Sequence, residues 1–502
     1  MSISFSTIPA TIRTGGQFIE FNNSMASSGL LAQMPNVNLL IGLARSGAAT
    51  GTQANNSLVA INSEADAQAK FGHGSILAGM AKAFFDMPGA ANLPVYAIGL
   101  APDASGTAAS GSFVFAAAGS SGATTAGNAQ VYVAGQQVST PVALGATAGA
   151  IAVAVAAGIN ALALGSNLPV SAGATASTGT VIVSALEKDV TGNAIDLRCN
   201  YQQGDAFPGA VTCTVTAMTG GLGTVSLTSA IAAIGPTWFT TIVTDRKDST
   251  NIAALEAAML ANWGPTVMMD GQVYYGGVGN KTAQEADVNG RNSPFSTYMG
   301  GGLSPTPPWV FAAQAAAADA GTPDPGIPRT QILLTDCKPP APGLAFVWAD
   351  RNTMLGEGIS TYTVVNGACY VERLVTTYQK AASGAADPSY MSVETMRTLA
   401  YMRYTWRAQV ALKFAQFKLA ADGTNFDPAQ KIVTPKRLTS EAIAWFQSMI
   451  DAGLAYNKAQ FVASIAGQVQ LNPSDPTRVD MILTPQLIRQ FRTLAAQIAF
   501  IL

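Results

Sequence analysis

The chain has 502 residues, of which 48 % are hydrophobic and 11 % charged, against about 25 % charged in ordinary soluble domains. That length fits about three domains with sizeable cores, and the apolar content excludes a disordered tail. With 27 basic and 29 acidic residues the net charge is -2, too weak for strong binding to a phosphate backbone.

The opening MSISFSTIPATIRTGG has no basic stretch leading into an apolar one, so no secretory signal is expected. Asn38–Leu43 (NLLIGL) is a continuous apolar run suited to a buried strand. The chain's one histidine, His73, sits in the Gly-rich turn Gly72-His73-Gly74-Ser75. That turn lacks a G-x-S-x-G elbow, and one histidine is too few for a zinc site that uses two. A helix over 75–85 and a strand over 95–99 follow.

Composition then changes. Residues 104–186 contain no Asp, Glu, Lys or Arg. Short β-like runs at 112–115, 130–133, 181–183 and 211–216 are separated by turn residues, and a helix is expected over 147–162. This reads as a β-rich domain inserted between about 101 and 223. The longest apolar stretch, 146–164, is mostly Ala, Gly and Val and makes a poor membrane span.

Beyond the insertion, strands are expected at 239–243, 266–269 and 332–334 and a helix at 252–262. Alternating strands and helices on both flanks predict one α/β sheet. Gly276-Gly-Val-Gly-Asn-Lys-Thr282 ends like a P-loop, but Tyr275 and Asn280 stand where its anchor glycines belong, so nucleotide binding is not expected. Cys199, Cys213, Cys337 and Cys369 lie far apart and form no C-x-x-C pair. Four separate thiols in a reducing compartment are expected, with neither zinc nor a disulfide framework.

Charge is uneven along the chain. Residues 1–350 carry 12 basic and 19 acidic groups, and residues 351–502 carry 15 and 10. A basic C-terminal region points to a negatively charged partner, the plain alternative being a solvated basic face. Leu399, Met402, Trp406, Val410, Phe414 and Phe417 recur at helical spacing after Ser392, with Arg403 and Arg407 on the flanks of a core-facing stripe. A second helix is expected over 440–452, capped by Thr439 and ended by Gly453. Lys436 and Arg437 precede it and make a local anion-attracting spot. The last segment has two readings. Thr484-Pro485 resembles a helix start, whereas Leu494, Ala496, Ile498, Phe500 and Leu502 alternate as in a strand. A chain ending in Phe500-Ile501-Leu502 fits a strand added to another chain's sheet.

Several segments, taken together and in order, resemble Mu-like contractile phage tail sheath proteins. They are Ile3-Ser-Phe5 through Gln17-Phe-Ile-Glu-Phe-Asn-Asn-Ser24, Gly192-Asn-Ala-Ile-Asp-Leu-Arg198, Gly358-Ile-Ser-Thr-Tyr362, Val371-Glu-Arg-Leu-Val-Thr-Thr-Tyr378, Asp387-Pro-Ser-Tyr390 with Val393-Glu-Thr-Met396, and Thr484-Pro-Gln-Leu-Ile-Arg-Gln-Phe491. Gly15-Gly16 departs from the expected Pro-Gly turn.

The resemblance implies a multidomain α/β plus α+β protein. Its parts would be an N-terminal arm (1–25), a central α/β domain of subtilisin-like fold (26–100 and 224–345), a β-rich outer insertion (101–223), an inner α+β domain (346–483) and a C-terminal arm (484–502). It implies self-assembly into stacked hexameric rings and a helical sheath around a tail tube, with baseplate and tail terminator proteins as further partners. Neither nucleic acid nor membrane insertion is implied. Contraction would drive the tube through the host envelope during genome delivery, without cofactor or metal, in a virion assembled in the host cytoplasm. Ile3 and Phe5 at one end, and Ile498, Phe500 and Leu502 at the other, are the expected inter-subunit strands. Lys436 and Arg437, then Arg403 and Arg407, are the expected tube contacts. The alternatives are the sheath of a bacteriocin or secretion-type contractile machine, or a hydrolase whose one carboxylate pair worth testing is Asp245 and Asp248.

Overall fold

The computed structural model describes residues 33–46, 51–118, 122–427 and 430–501. The N-terminal arm with Ile3 and Phe5, and the terminal Leu502, lie outside them. The chain divides into two compact units: 398–489 belong to the smaller, and 35–397 with 490–502 to the larger.

A nine-stranded sheet forms the centre of the larger unit. Its strands are β1 (Asn38–Leu43), β2 (Leu58–Ile61), β3 (Val95–Leu100), β4 (Thr241–Thr244), β5 (Gln272–Gly277), β6 (Ser296–Gly300), β7 (Leu333–Leu334), β8 (Ile359–Val365) and β9 (Ala368–Arg373). Their order is β7-β9-β8-β6-β5-β4-β1-β3-β2. From β3 to β8 neighbours run parallel, and β2 and β9 are antiparallel to the strands beside them. Every residue of β1, β4, β5 and β6 is buried, which explains their unbroken apolar or small-residue runs.

The helix Pro308–Ala320 packs against β4, β5 and β6 and against the helix Ile76–Phe85. Pro308 presets its first turn and alanine fills its interior; twelve of its thirteen residues are buried. Two differences from expectation stand out. Thr266–Met269 was read as a strand, but Met268 has φ +55° and donates its N–H to the Gly264 carbonyl, so the Gly264-Pro265 turn wins over the apolar run. The sheet also runs past residue 345, because β8 pairs with β6.

Chain between β3 and β4 builds the insertion. It holds a four-stranded antiparallel sheet (Thr212–Thr219, Ala108–Ala116, Thr180–Lys188, Val170–Thr175) and a three-stranded one (Gln136–Val142, Gly127–Val133, Leu197–Cys199). Thr107 and Leu222 exchange backbone hydrogen bonds of 3.0 and 3.1 Å where the chain enters and leaves. The apolar helix Ala148–Ser166 is long enough to cross a membrane, yet it buries Ile151, Ala152, Val155, Ala156 and Ile159 against the insertion's own strands. Asn160 binds both backbone groups of Ala172 at 2.8 Å, which spends its polarity inside the domain.

The smaller unit has its own core of Met402, Trp445, Phe446, Met449, Phe461 and Ile465, with the Phe446 and Phe461 rings stacked at 3.9 Å. Trp445 Nε1 donates to Thr405 Oγ1 at 3.1 Å, fixing the helix Pro435–Asp451 against the later part of Val393–Phe414.

Candidate assembly surfaces

The C-terminal segment is held at two points and then released. Gln486–Leu487 pairs antiparallel with Ala455–Tyr456. Gln490 Nε2 donates to the Gly326 carbonyl at 3.3 Å, and Arg492 Nη2 donates to Glu394 Oε2 at 2.8 Å. Glu394 is fully buried, and its other oxygen accepts the Arg329 N–H at 2.7 Å, so this anchor is a built site. Arg373 is pushed below the usual arginine range by burial and by Arg492 nearby, with Glu394 acting in opposition.

Past the anchor, Leu494, Ile498, Phe500 and Ile501 are 76, 89, 79 and 99 % exposed. No helix or strand includes 488–501, so within the single chain this end takes neither the helical nor the strand form. A stretch of chain with unburied apolar side chains is unfavourable in water by about 1.5–3 kcal/mol per large side chain relative to burial. What remains is a segment chemically suited to pairing with a sheet edge.

The basic residues do not gather into one spot. The second helix starts at Pro435, five residues before the expected start, because Thr434 caps it and Pro435 fits its first position. Lys436 and Arg437 therefore lie within its first turn. Thr434 Oγ1 accepts the Arg437 N–H at 3.3 Å and Asp422 Oδ1 accepts the Lys436 N–H at 3.0 Å, so side chains already satisfy this helix end. The Arg437 guanidinium donates to the Ile432 carbonyl at 2.9 Å and sits 5.0 Å from the Phe417 ring centroid. The Lys436 side chain is exposed, as is Arg407, whereas Arg403 is half-buried. Arg403 lies eleven residues before Phe414 on one helix, about 16 Å along the axis, and so away from Arg437. Lys413 pairs with Glu441, which offsets part of the positive charge between the two helices.

The carboxylates read as a possible hydrolytic pair are used elsewhere. Strand order reverses between β1 and β4, and ligands in open α/β sheets bind at such a switch point. Here Arg246 forms part of the wall, beside a cavity of about 550 Å³ that Asp245, Asp248 and Gly276 also line. Its guanidinium bonds Asp245 at 2.8 and 2.9 Å and Asp189 of the insertion at 2.8 and 3.0 Å. Asp245 Oδ2 also accepts the Leu43 N–H at 3.0 Å, and Asp248 caps the helix Ser249–Trp263. Burial works against the Arg246 charge, but Asp245 and Asp189 outweigh it and hold the proton more firmly than usual. In the P-loop-like segment Asn280 caps the following helix and Lys281 faces Glu285 and Asp350 at 3.6 and 3.7 Å.

A second buried network went unseen in the sequence. Asp319 accepts from Tyr274 Oη at 2.7 Å, Arg329 Nε at 2.9 Å and Arg397 Nε at 2.7 Å. Its members come from β5, two loops or helices and the start of Val393–Phe414, at sequence separations that no motif records.

A family model of the phage tail sheath protein central domain matches residues 220–377, and one of the phage tail sheath C-terminal domain matches 385–501. The chain is 35 % identical over 505 residues to the Mu-like prophage FluMu tail sheath protein of Haemophilus influenzae, with 100 % of both chains covered. Among solved structures it is similar to the sheath tail protein of Desulfitobacterium hafniense (16 % identity, 94 % of this chain and 100 % of that one, TM-score 0.45). It is also similar to the sheath tail protein Lin1278 of Listeria innocua (14 % identity, 87 and 89 % covered, TM-score 0.41). The full-length match at 35 % identity and the two family models agree: the chain belongs to the phage tail sheath family and has a structural role in a contractile tail.

Proposed function

We propose that the chain polymerises around a tail tube as stacked hexameric rings forming a helical sheath, with its terminal arms adding strands to neighbouring subunits. Contraction of that sheath drives the tube through the host envelope. The observation that carries this reading is the C-terminal arm, anchored through Arg492 and Glu394 and then exposing Leu494, Ile498, Phe500 and Ile501. Ile3, Phe5 and Leu502 act in the same exchange. Anchor and strand are separable, so subunits can turn while the linkage between them persists.

The parallel sheet is the central, subtilisin-like part, the insertion faces outward and the basic C-terminal part faces the tube. Lys436 is the first tube contact, with Arg437, Arg407 and Arg403 behind it. Polar contacts of this kind can break during contraction where a large apolar interface would resist. Baseplate and terminator proteins cap the two ends of the sheath, and the virion is assembled in the host cytoplasm. The protein is not an enzyme; the support for this is that Asp245 is tied to Arg246 and Asp248 caps a helix, with one histidine in the chain.

The test is negative-stain electron microscopy of the purified chain and of a variant lacking the last nine residues. The full chain is expected to form striated hollow tubes, and the truncated chain to remain monomeric with unchanged circular dichroism. Tubes of equal length and abundance from the truncated chain would overturn the arm's role.

A further inference from the structure

Two thiols that stand 14 positions apart in the sequence meet inside the insertion. Cys199 ends the strand Leu197–Cys199 of the three-stranded sheet, and Cys213 lies near the start of Thr212–Thr219 in the four-stranded sheet. The two strands approach with Cα atoms within 8 Å. Cys213 Sγ donates to the Thr214 carbonyl at 3.9 Å, the two thiols lie close enough to shift each other's titration, and both residues are half-buried. All four thiols are free, as expected, but these two lie on neighbouring strands. Val131 stands opposite Cys199 and Phe115 opposite Cys213, so each sulfur is fixed by a different ladder.

Cys199 also borders a cavity of about 630 Å³ with Arg198, Tyr201, Met218 and Leu303, which gives a small reagent a way in. By contrast, Cys337 and Cys369 are buried. Burial pushes the Cys369 thiol up to about 12 and the Cys337 thiol well above its ordinary value, so both resist oxidation.

We propose that Cys199 and Cys213 are an oxidation site that closes to a disulfide once the chain leaves the reducing cytoplasm, stapling the insertion's two sheets together. Cys199, which borders the cavity, is the sulfur a reagent reaches first and so the attacking one; the neighbouring Cys213 lowers its titration, set against burial. The neighbouring Cys199 and then burial hold the proton on Cys213. The oxidant is a small-molecule disulfide such as oxidised glutathione. Cys199 thiolate attacks one of its sulfurs, the reagent's S–S bond breaks and one glutathione thiolate leaves. Cys213 then passes its proton to that thiolate and attacks Cys199 Sγ, expelling the second glutathione. Two protein thiols are oxidised and one glutathione disulfide is reduced to two thiols.

The full chain, purified reduced, is equilibrated in glutathione buffers from reducing to oxidising and then alkylated, digested and weighed. The expected result is loss of alkylation at Cys199 and Cys213 together, with Cys337 and Cys369 unchanged and a crosslinked peptide lighter by two hydrogen atoms. Cys213→Ser should instead trap a glutathione adduct on Cys199. Full alkylation of both residues in the most oxidising buffer would overturn the proposal, as would a link found only between chains. The wild-type measurement decides alone if the variant does not fold.

Discussion

Arg246 shows how a charge can be locked into a core. It is 1 % exposed, and its partners Asp245 and Asp189 come from β4's end and from the insertion. Replacing it with methionine leaves two buried carboxylates facing each other. The expected loss is about 3–5 kcal/mol in urea denaturation, as when one partner of a buried pair is removed. Asp319 makes the same argument with a pH signature. Burial would push its carboxyl up, but Arg397 and Arg329 outweigh that and hold it below the ordinary aspartate value. Its stabilising share is therefore complete above about pH 4 and is lost as pH falls through the lower folded value. Asp319→Asn is expected to be less stable at neutral pH and to lose less further stability on acidification; an unchanged acid limb in denaturation profiles from pH 6 to 2 would contradict this. Neither residue could be singled out in the sequence, because a lone Asp or Arg carries no sign of a partner tens of positions away.

Elements were legible where composition was strong. Asn38–Leu43 and the helix at 393 onward followed from apolar runs and periodicity, and the strands expected at 112–115, 130–133, 181–183 and 211–216 all lie in or overlap strands. Gln136–Val142 and Val170–Thr175 were missed. The first contains Pro141, which its place at a sheet edge tolerates, and the second is too rich in small residues to signal a strand. The helix Pro435–Asp451 was started late because Thr439 looked like a cap, whereas its hydroxyl donates to the Pro435 carbonyl inside the helix. Thr434→Ala is accordingly expected to cost about 1 kcal/mol and Thr439→Ala less, as read from thermal melts. The same helix refines the charge test. Since Arg437 also holds Ile432 and lies over Phe417, Lys436→Glu is the cleaner substitution. It is expected to reduce sheath assembly on tail tubes, in a salt-dependent way, without shifting the melting temperature; normal assembly at low salt would remove Lys436 from the tube surface.

At the scale of the whole molecule, the anchor and the arm should separate by mutation. Arg492→Ala removes one of the bonds to Glu394 and is expected to cost about 1–3 kcal/mol and to speed proteolysis near residue 490. Truncation after Thr493 should leave stability unchanged, because the described side chains it removes, 494–501, are exposed. The sequence by itself determined the family, the α/β class, the β-rich insertion and the apolar character of the last residues. These follow from composition, periodicity and ordered motifs, all of which are local properties of the chain. Tertiary structure alone decided that Arg246 ties β4's end to Asp189 of the insertion, that Glu394 receives Arg492, that the strands of Cys199 and Cys213 approach each other and that β8 extends the central sheet beyond 345. Each of these joins residues distant in sequence, and their partnership is set by which strands and helices pack together, which no window along the chain can contain.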